Sequence, residues 1–119
     1  MEVEFKGKKY DLESDCPIRI LLNRLGNKWS LSVLLSLGAK GTMRFNEIHK
    51  LVGDISQRML SVTLRKLEAD GVISCMTYPE VPPRTEYTIT KSGERLLLLL
   101  VDLSDWVIEN LKVSKPGKN

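Results

Sequence analysis

Four polar side chains lie at helical spacing between residues 57 and 65, and their types suit hydrogen bonding to nucleotide bases. They are Gln57, Arg58, Ser61 and Arg65. An arginine can pair with guanine and a glutamine with adenine, each pair contributing about 1 to 3 kcal/mol of discrimination against a wrong base. We interpret the start of this segment, with Ser56 before it, as a surface that contacts bases, and Arg65 as a phosphate contact.

Three further cations are candidates for contacts with nucleic acid, two of them, Lys28 and Arg44, with phosphate. Lys28 and Arg44 lie near the starts of two predicted helices, and Arg84 follows two prolines. The net charge is +3, and residues 16–95 carry twelve basic and seven acidic residues, so the middle of the chain is its electropositive part. Such residues are also common on any solvated surface, and for Lys28 and Arg44 a plain surface role is an equal alternative.

The helix that carries the base-contacting residues is predicted over 57–70. Ser56 is a good N-cap, Gly71 follows the end, and Ile55 and Leu60 are placed to form a hydrophobic staple. Its expected buried face is listed as Met59, Leu60, Leu64 and Leu67. The polar and basic residues then occupy the exposed face.

A shorter helix is predicted over 45–52, with Gly53 after it. Its expected buried residues are Phe45, Ile48, Leu51 and Val52. Only Gly53, Asp54 and Ile55 separate it from the N-cap of the next helix, and a short turn containing glycine is typical of a helix-turn-helix.

Two helices are predicted earlier in the chain. The first follows Cys16, with Pro17 at its first position and Gly26 past its end. The second runs over 28–37 and is stopped by Gly38, so residues 38–41 are expected to form a tight loop.

Two strands are predicted after Gly71, over 72–78 and 85–90, with a proline-rich tip over 79–84. A hairpin directly after a base-contacting helix is a wing.

Thr90 then caps a last helix that runs to about Leu111, in which residues 96–101 are apolar around the whole circumference. One small domain hides only one stripe of such a helix, so we expect the other stripe to form a homodimer interface. The residues predicted for it are Leu96, Leu99, Leu100, Leu103, Trp106 and Val107.

These elements predict a mainly α fold with a small β-hairpin, a winged helix-turn-helix that dimerises through its terminal helices. The expected organisation is an N-terminal arm over 1–15, the domain over 16–111 and a flexible tail over 112–119. No stretch has the roughly 18 to 20 apolar residues that a membrane span needs, and the first residues lack the pattern of a secretory signal, so we expect a cytoplasmic protein.

The chain resembles the HxlR-type winged-helix regulators, a branch related to the MarR-like repressors. The resemblance covers roughly residues 16–111, and its blocks include Gly26-Asn27-Lys28-Trp29-Ser30, Ile55-Ser56-Gln57-Arg58-Met59-Leu60 and Pro82-Pro83-Arg84-Thr85-Glu86-Tyr87. It implies a dimeric transcriptional regulator that binds double-stranded DNA and often responds to a small molecule. The first wing strand carries Ser74-Cys75-Met76 where family members often have basic residues, so the wing contacts would depend mainly on Arg84.

The two cysteines are too few for a disulfide framework. Cys16 matches the place of a reactive cysteine in the family, and the field of a helix N-terminus favours the thiolate, so Cys16 is a candidate redox sensor. The alternative is a small, partly buried N-cap residue. Cys75 lies in a predicted strand and is interpreted as structural.

Two other classes of function, a small enzyme and a protein-binding module, make different demands on the sequence. A small enzyme is disfavoured because His49, interpreted as a surface residue, is the only histidine and no Gly-x-Ser-x-Gly or Walker motif is present. No metal site or cofactor is expected. A winged-helix module that binds proteins instead of DNA stays open, and an acidic or apolar face on the helix after Ser56 would favour it. The arginines on that face favour an inverted-repeat operator in DNA.

Overall fold

The computed structural model describes residues 1–11 and 16–112 of the chain. Its elements in chain order are β1 (Glu2–Phe5), β2 (Lys8–Asp11), α1 (Pro17–Leu25), α2 (Lys28–Lys40), β3 (Thr42–Arg44), α3 (Phe45–Val52), α4 (Gln57–Ala69), β4 (Ile73–Tyr78), β5 (Arg84–Ile89) and α5 (Lys91–Asn110). The predicted order of helices and the predicted wing are both present. The expected tail falls outside the described residues from 113 onwards, as do residues 12–15 of the expected arm.

The core lies where α2, α3 and α4 meet the wing. Its fully buried side chains are Val33, Leu34, Leu37, Ile48, Leu60, Leu64, Leu67 and Ile73. Burying one such aliphatic side chain contributes about 1.5 to 3 kcal/mol, so this cluster holds the two helices of the helix-turn-helix at a fixed angle.

Helix α2 does not stop at Gly38, which corrects the sequence prediction. Gly38 lies inside the helix, and a side chain there would collide with a methyl group of Leu97 on α5. The glycine thus allows close packing of α5 instead of ending α2. The helix ends at Gly41, whose φ of 87° is unfavourable for other residues and whose N–H donates to the carbonyl of Leu37.

Strand β3 was not predicted. It adds to the wing in the order β3-β5-β4, with Met43 opposite Tyr87, and the hydroxyl oxygens of Thr42 and Thr88 lie 2.9 Å apart. Three residues are too few for a readable alternation of polar and apolar positions. The strand ties the start of α3 directly to the wing.

Two predictions of burial were wrong. Leu51 is exposed, and Met59 is 43% exposed, whereas Thr63 is buried and takes the place expected for Met59. The stripe that α4 buries is made of residues 60, 63, 64 and 67, which has the i, i+3, i+4, i+7 spacing of an inward face. Met59 precedes that stripe by about 100° of helical rotation and therefore faces outward.

The expected N-terminal arm contains a two-stranded hairpin that was not predicted. Strands β1 and β2 pair antiparallel, with Val3 opposite Tyr10 and Phe5 opposite Lys8. The two loop residues, Lys6 and Gly7, both have positive φ, as in the type I′ turns common in such hairpins. Val3 and Phe5 alternate with charged residues, and a glycine follows at the turn, so the sequence did contain a signal for this hairpin that the prediction did not use.

Within residues 1–11 and 16–112, none of the helices combines the length and the apolar character that crossing a membrane requires.

Candidate nucleic-acid interface

The N-terminus of α4 is fixed by a side-chain cap. The hydroxyl of Ser56 accepts a hydrogen bond from the backbone N–H of Met59 at 3.0 Å. Ile55 and Leu60, on either side of the cap, are both buried in the core, as the predicted hydrophobic staple requires. The first turn of α4 therefore has a defined position, although its outer side chains lie in solvent.

The turn before α4 is held by the only histidine of the chain. His49 Nε2 lies 2.6 Å from the carbonyl oxygen of Ile55, to which it donates a hydrogen bond. The imidazole stacks on Phe45, with ring centroids 6.4 Å apart. His49 is half-buried, which corrects its interpretation as a surface residue, because its position on α3 turns it toward the chain between the two helices.

The exposed side chains at the start of α4 are Gln57, Arg58 and Met59. Ser61 is half-buried one turn later, and Arg65 is exposed two turns after Arg58. The structure thus places the predicted base-contacting residues at the beginning of one helix face. Met59 also belongs to the exposed side chains at the start of α4, and the sequence prediction missed it. The spacing of the buried residues 60, 63, 64 and 67 could have shown that Met59 faces outward.

Arg44 and Lys28 lie at different ends of this surface. Arg44 precedes α3, its side chain is exposed, and its backbone N–H donates to Glu47 Oε1 at 2.8 Å. Lys28 begins α2 and its ammonium lies 4.4 Å from the centroid of the Trp29 ring. The residues around Lys28 border a cavity shared with Lys66, near the C-terminal end of α4. The structure therefore groups Arg44 with the wing tip, and it places the neighbours of Lys28 beside the end of α4 opposite to Arg58.

A cavity of about 370 Å³ separates the start of α3 from the tip of the wing. Arg44, Phe45 and Asn46 line one side, and the wing tip from residue 80 to 85 lines the other. The cavity therefore lies at the junction between the wing and the helix-turn-helix, with polar residues on both sides.

Arg84, expected to lead the wing contacts, is paired within the wing. Its Nη2 lies 3.2 Å from Glu80 and its Nε lies 3.4 Å from Glu86, both distances to carboxylate oxygens. Its guanidinium carbon lies 4.2 Å from the centroid of the Tyr78 ring. Two carboxylates therefore compensate the charge of Arg84, a feature that depends on the hairpin register and was not visible in the sequence.

Helix α5 divides the predicted dimer residues into two groups. Leu96 and Leu100 pack against the core of their own chain. Leu99, Leu103 and Trp106 are 57%, 56% and 54% exposed, and they form a stripe at i, i+4 and i+7. Val107 is half-buried. Leu96 and Leu100 therefore belong to the intramolecular side of the helix, whereas Leu99, Leu103 and Trp106 lie in solvent.

The two cysteines differ in accessibility. Cys16, the N-cap residue of α1, is 8% exposed, and its carbonyl accepts a hydrogen bond from the N–H of Ile20 at 2.9 Å. Cys75 is half-buried opposite Tyr87 in the wing. Burial, with the Cys75 thiol as a further cause, raises the pKa of Tyr87 above its ordinary value.

Among the described residues, no group of three or more histidine, cysteine, aspartate or glutamate side chains is arranged to hold a metal ion.

The helix-turn-helix, the exposed start of its second helix and the antiparallel wing define a winged helix-turn-helix protein. The chain belongs to the HxlR-like helix-turn-helix family, whose model matches residues 24–115. It is 43% identical over 96 residues to an HTH-type transcriptional regulator of Methanothermobacter thermautotrophicus, which covers 81% of this chain and 72% of the relative.

Two solved structures are similar over nearly their full lengths. A regulator of Porphyromonas gingivalis assigned to the MarR family is 31% identical, with a TM-score of 0.71 over 85% of this chain and 98% of the other. The redox regulator HypR in its oxidized form is 37% identical, with a TM-score of 0.67 over 82% of this chain and all of the other. The protein is thus a transcriptional regulator with a DNA-binding helix-turn-helix, related to MarR-type proteins, and not an enzyme.

Proposed function

We propose that the protein binds an inverted-repeat operator in double-stranded DNA as a homodimer and reads its sequence with the first turns of α4. The observation that carries this proposal is the exposure of Gln57, Arg58 and Met59 at a helix start that is fixed by the Ser56 cap. The major groove, about 12 Å wide, admits a helix, and the residues at its N-terminal end reach the base edges.

In this proposal Arg58 contacts bases, and Arg65 contacts phosphate because it lies two turns further from the inserted end. Ser61, between them, is half-buried, and its hydroxyl is a candidate for a further polar contact with the duplex. Met59 adds an apolar surface that suits the methyl group of thymine. Arg44 lies across one cavity from the wing tip, so it can contact the same segment of the DNA backbone as the wing.

The dimer part of the proposal is supported by exposed apolar residues on both terminal helices. Leu99, Leu103 and Trp106 form the stripe on α5, and Ile18 and Leu22 are exposed on α1. A two-fold dimer presents two copies of α4, and their centres must lie about 34 to 36 Å apart, or a multiple of it, to enter the major groove on one side of the duplex. This geometry requires an inverted repeat.

The wing contacts the flanks of the operator in this proposal. Because Arg84 is already paired with Glu80 and Glu86, a phosphate or a minor groove must replace one of these carboxylates. We therefore assign the wing a smaller share of the affinity than α4. Narrow A·T-rich flanks, which have the most negative potential, favour the exchange.

The test begins with selection of bound duplexes from a random DNA pool, followed by fluorescence anisotropy on the selected duplex and on a scrambled one. Arg58→Ala should weaken binding to the selected duplex more than to the scrambled one, whereas Arg65→Ala should weaken both alike. Arg95→Ala on α5 is the matched control and should change neither. The base-contact assignment is wrong if Arg65→Ala is the selective variant, and footprinting of one asymmetric half-site would contradict the dimeric mode.

The salt dependence of binding gives a second test of the proposed contact with DNA. Binding to phosphate releases counterions, so the affinity for DNA must fall steeply as the salt concentration rises. Binding to a duplex that does not change with salt, or no binding to a duplex at 50 mM salt, would contradict the proposed contacts with phosphate.

We also propose a response to a signal, with Cys16 as the residue on which a thiol-reactive signal acts in a cytoplasmic setting. The similarity to the redox regulator HypR and the N-cap position of Cys16 support it. The burial of Cys16 opposes it, because a reagent can reach the thiol only when the start of α1 moves. Brief alkylation with peptide mass spectrometry decides: faster labelling of Cys16 than of Cys75 supports sensing, and faster labelling of Cys75 supports the structural role.

A further inference from the structure

The hairpin of β1 and β2 has one apolar face. Opposite residues of an antiparallel pair point to the same side of the sheet, so Val3 and Phe5 share a face with Tyr10. Val3 is 40% and Phe5 66% exposed, and Tyr10 is half-buried. A two-stranded hairpin on its own is at best marginally stable in water, because it needs a further layer to cover such a face. The apolar face of the hairpin therefore requires a surface to pack against.

A second exposed apolar surface lies between α2 and α5. A cavity of about 200 Å³ is lined there by Gly38, Glu94, Leu97, Leu98 and Val101. Leu98 is 69% and Val101 45% exposed. On α2, the exposed Leu31 and Leu35 precede Gly38 by seven and three residues, so they lie on the same stripe of that helix. We call the surface made by Leu31, Leu35, Gly38, Leu98 and Val101 the α2–α5 groove.

The α2–α5 groove is distinct from the stripe of Leu99, Leu103 and Trp106 on the same helix. Successive residues of a helix are about 100° apart, so Leu98 faces about 100° away from Leu99 and about 200° away from Leu96. Leu96 shares a cavity with α1, so α1 packs on the side of α5 opposite to Leu98. The dimer contact proposed for α1 and the α5 stripe thus leaves the groove to another occupant.

The hairpin and the groove carry complementary charges. Three exposed lysines surround the tip of the hairpin: Lys6, Lys8 and Lys9. On α5, the exposed Glu94 and Asp105 continue the stripe of Leu98 and Val101 at either end, with the spacing i, i+4, i+7 and i+11. An apolar strip between carboxylates matches an apolar hairpin with a basic tip, and complementary charges fix the register of such a contact.

We propose that the hairpin of one subunit docks on the α2–α5 groove of a second copy of this chain. The hairpin face and the groove are both exposed in one chain, so they do not cover each other there. Docking on a second copy covers both, with Val3 and Phe5 against Leu98 and Val101 and the lysines beside the carboxylates. Exchange of an identical element between subunits is a low-cost way to join two copies. The proposal rests on the homodimer of the proposed function and adds a separate area of contact to it.

Photo-crosslinking of the full chain tests the contact. Phe5→p-benzoylphenylalanine places a photoreactive ring on the apolar face, and the exposure of Phe5 makes the replacement compatible with folding. After irradiation of a mixture of isotope-labelled and unlabelled chains, we expect a species of twice the 13.5 kDa of one chain. Its crosslinked peptides should join a hairpin of one isotope to α2 or α5 of the other. Glu4→p-benzoylphenylalanine, on the opposite face of the hairpin, is the matched control and should give about tenfold less of this species.

Sedimentation measures what the contact contributes to assembly. Phe5→Lys and Leu98→Lys should each raise the dissociation constant of the dimer about tenfold or more, because each places a charge on one of the two apolar surfaces. Both side chains are exposed, so the variants should still fold. Glu4→Gln, on the other face of the hairpin, should leave the dissociation constant unchanged.

The proposal can fail without the proposed function. Crosslinks within one chain, crosslinks only to DNA when a duplex is present, or equal yields from positions 5 and 4 overturn it. An unchanged dissociation constant in both lysine variants overturns it as well, and a dimeric wild-type protein then still agrees with the α5 stripe as interface. A monomeric wild-type protein contradicts the homodimer and the docked hairpin together, whereas the DNA contact of Arg58 is decided by its own variant.

Discussion

His49 and Ile55 are joined by a hydrogen bond of 2.6 Å that closes the turn of the helix-turn-helix, from a side chain of α3 to the backbone just before the cap of α4. Ile55 is buried, so its carbonyl oxygen has little access to water. The orientation of the DNA-binding helix thus depends on one imidazole as well as on the apolar core.

We expect His49→Ala to lower the free energy of unfolding by about 1 to 3 kcal/mol, because the carbonyl of Ile55 loses its partner in a buried position. His49→Gln should recover part of this loss, since its amide nitrogen can reach a similar place. Urea unfolding of the three proteins measures the effect. Equal losses in both variants would show that packing on Phe45, and not the hydrogen bond, is what matters.

Two helical glycines form a matched pair for a test of close packing. A side chain at Gly93 would collide with the backbone carbonyl of Val72, whereas one at Gly38 would meet only a methyl group of Leu97. We expect Gly93→Ala to destabilise the protein by about 2 kcal/mol or more. Gly38→Ala should cost less, because Leu97 can change rotamer and alanine gains about 1 kcal/mol of helix propensity. Thermal unfolding compares them, and the reverse order would contradict the packing of α5.

The stripe on α5 gives a prediction for assembly. Leu103→Glu introduces a charge at its centre and should convert the dimer to a chain of 13.5 kDa at micromolar concentration. Ser104→Glu adds the same charge at the adjacent exposed position outside the stripe and should leave the dimer intact. Light scattering gives both masses. A monomeric wild-type protein would refute the dimer, and an unaffected Leu103→Glu dimer would move the interface away from this stripe.

The raised pKa of Tyr87 predicts a loss of stability in alkali. Burial and the Cys75 thiol disfavour the phenolate in the folded protein, so unfolding becomes easier as the pH rises from the ordinary tyrosine value of about 10 through the raised value. Tyr87→Phe should lose less stability over this window and should match the wild type in its pH dependence below it. Urea unfolding between pH 8 and 11 is the measurement. Parallel curves for the two proteins would show that Tyr87 does not contribute.

Local signals in the sequence were sufficient to predict the helix-turn-helix. The Ser56 cap, the glycine at 53 and the spacing of Leu60, Leu64 and Leu67 act within a few residues of one another, so their effects are readable without the fold. Features that depend on distant contacts were not readable. Gly38 has the residue type of a helix end, and only the approach of Leu97 makes it an interior position.

In the candidate site, too, some features follow from local signals and others depend on distant contacts. The positions of Gln57 and Arg58 follow from the helix phase alone, whereas the exposure of Met59 required the exact buried stripe. The pairing of Arg84 with Glu80 and Glu86 depends on how the wing folds back across its tip. Asn27 and Ser30, on either side of Lys28, line a cavity with the C-terminal end of α4, and this contact between distant segments has no local signal in the sequence.

The paired state of Arg84 also affects the search for an operator. A cation that is already neutralised adds little attraction to an arbitrary stretch of duplex, and it gains only where the local groove is negative enough to displace a carboxylate. We therefore expect short residence on bulk chromosomal DNA and rapid release from it. The wing would then improve the ratio of operator to background binding more than it improves the operator affinity itself.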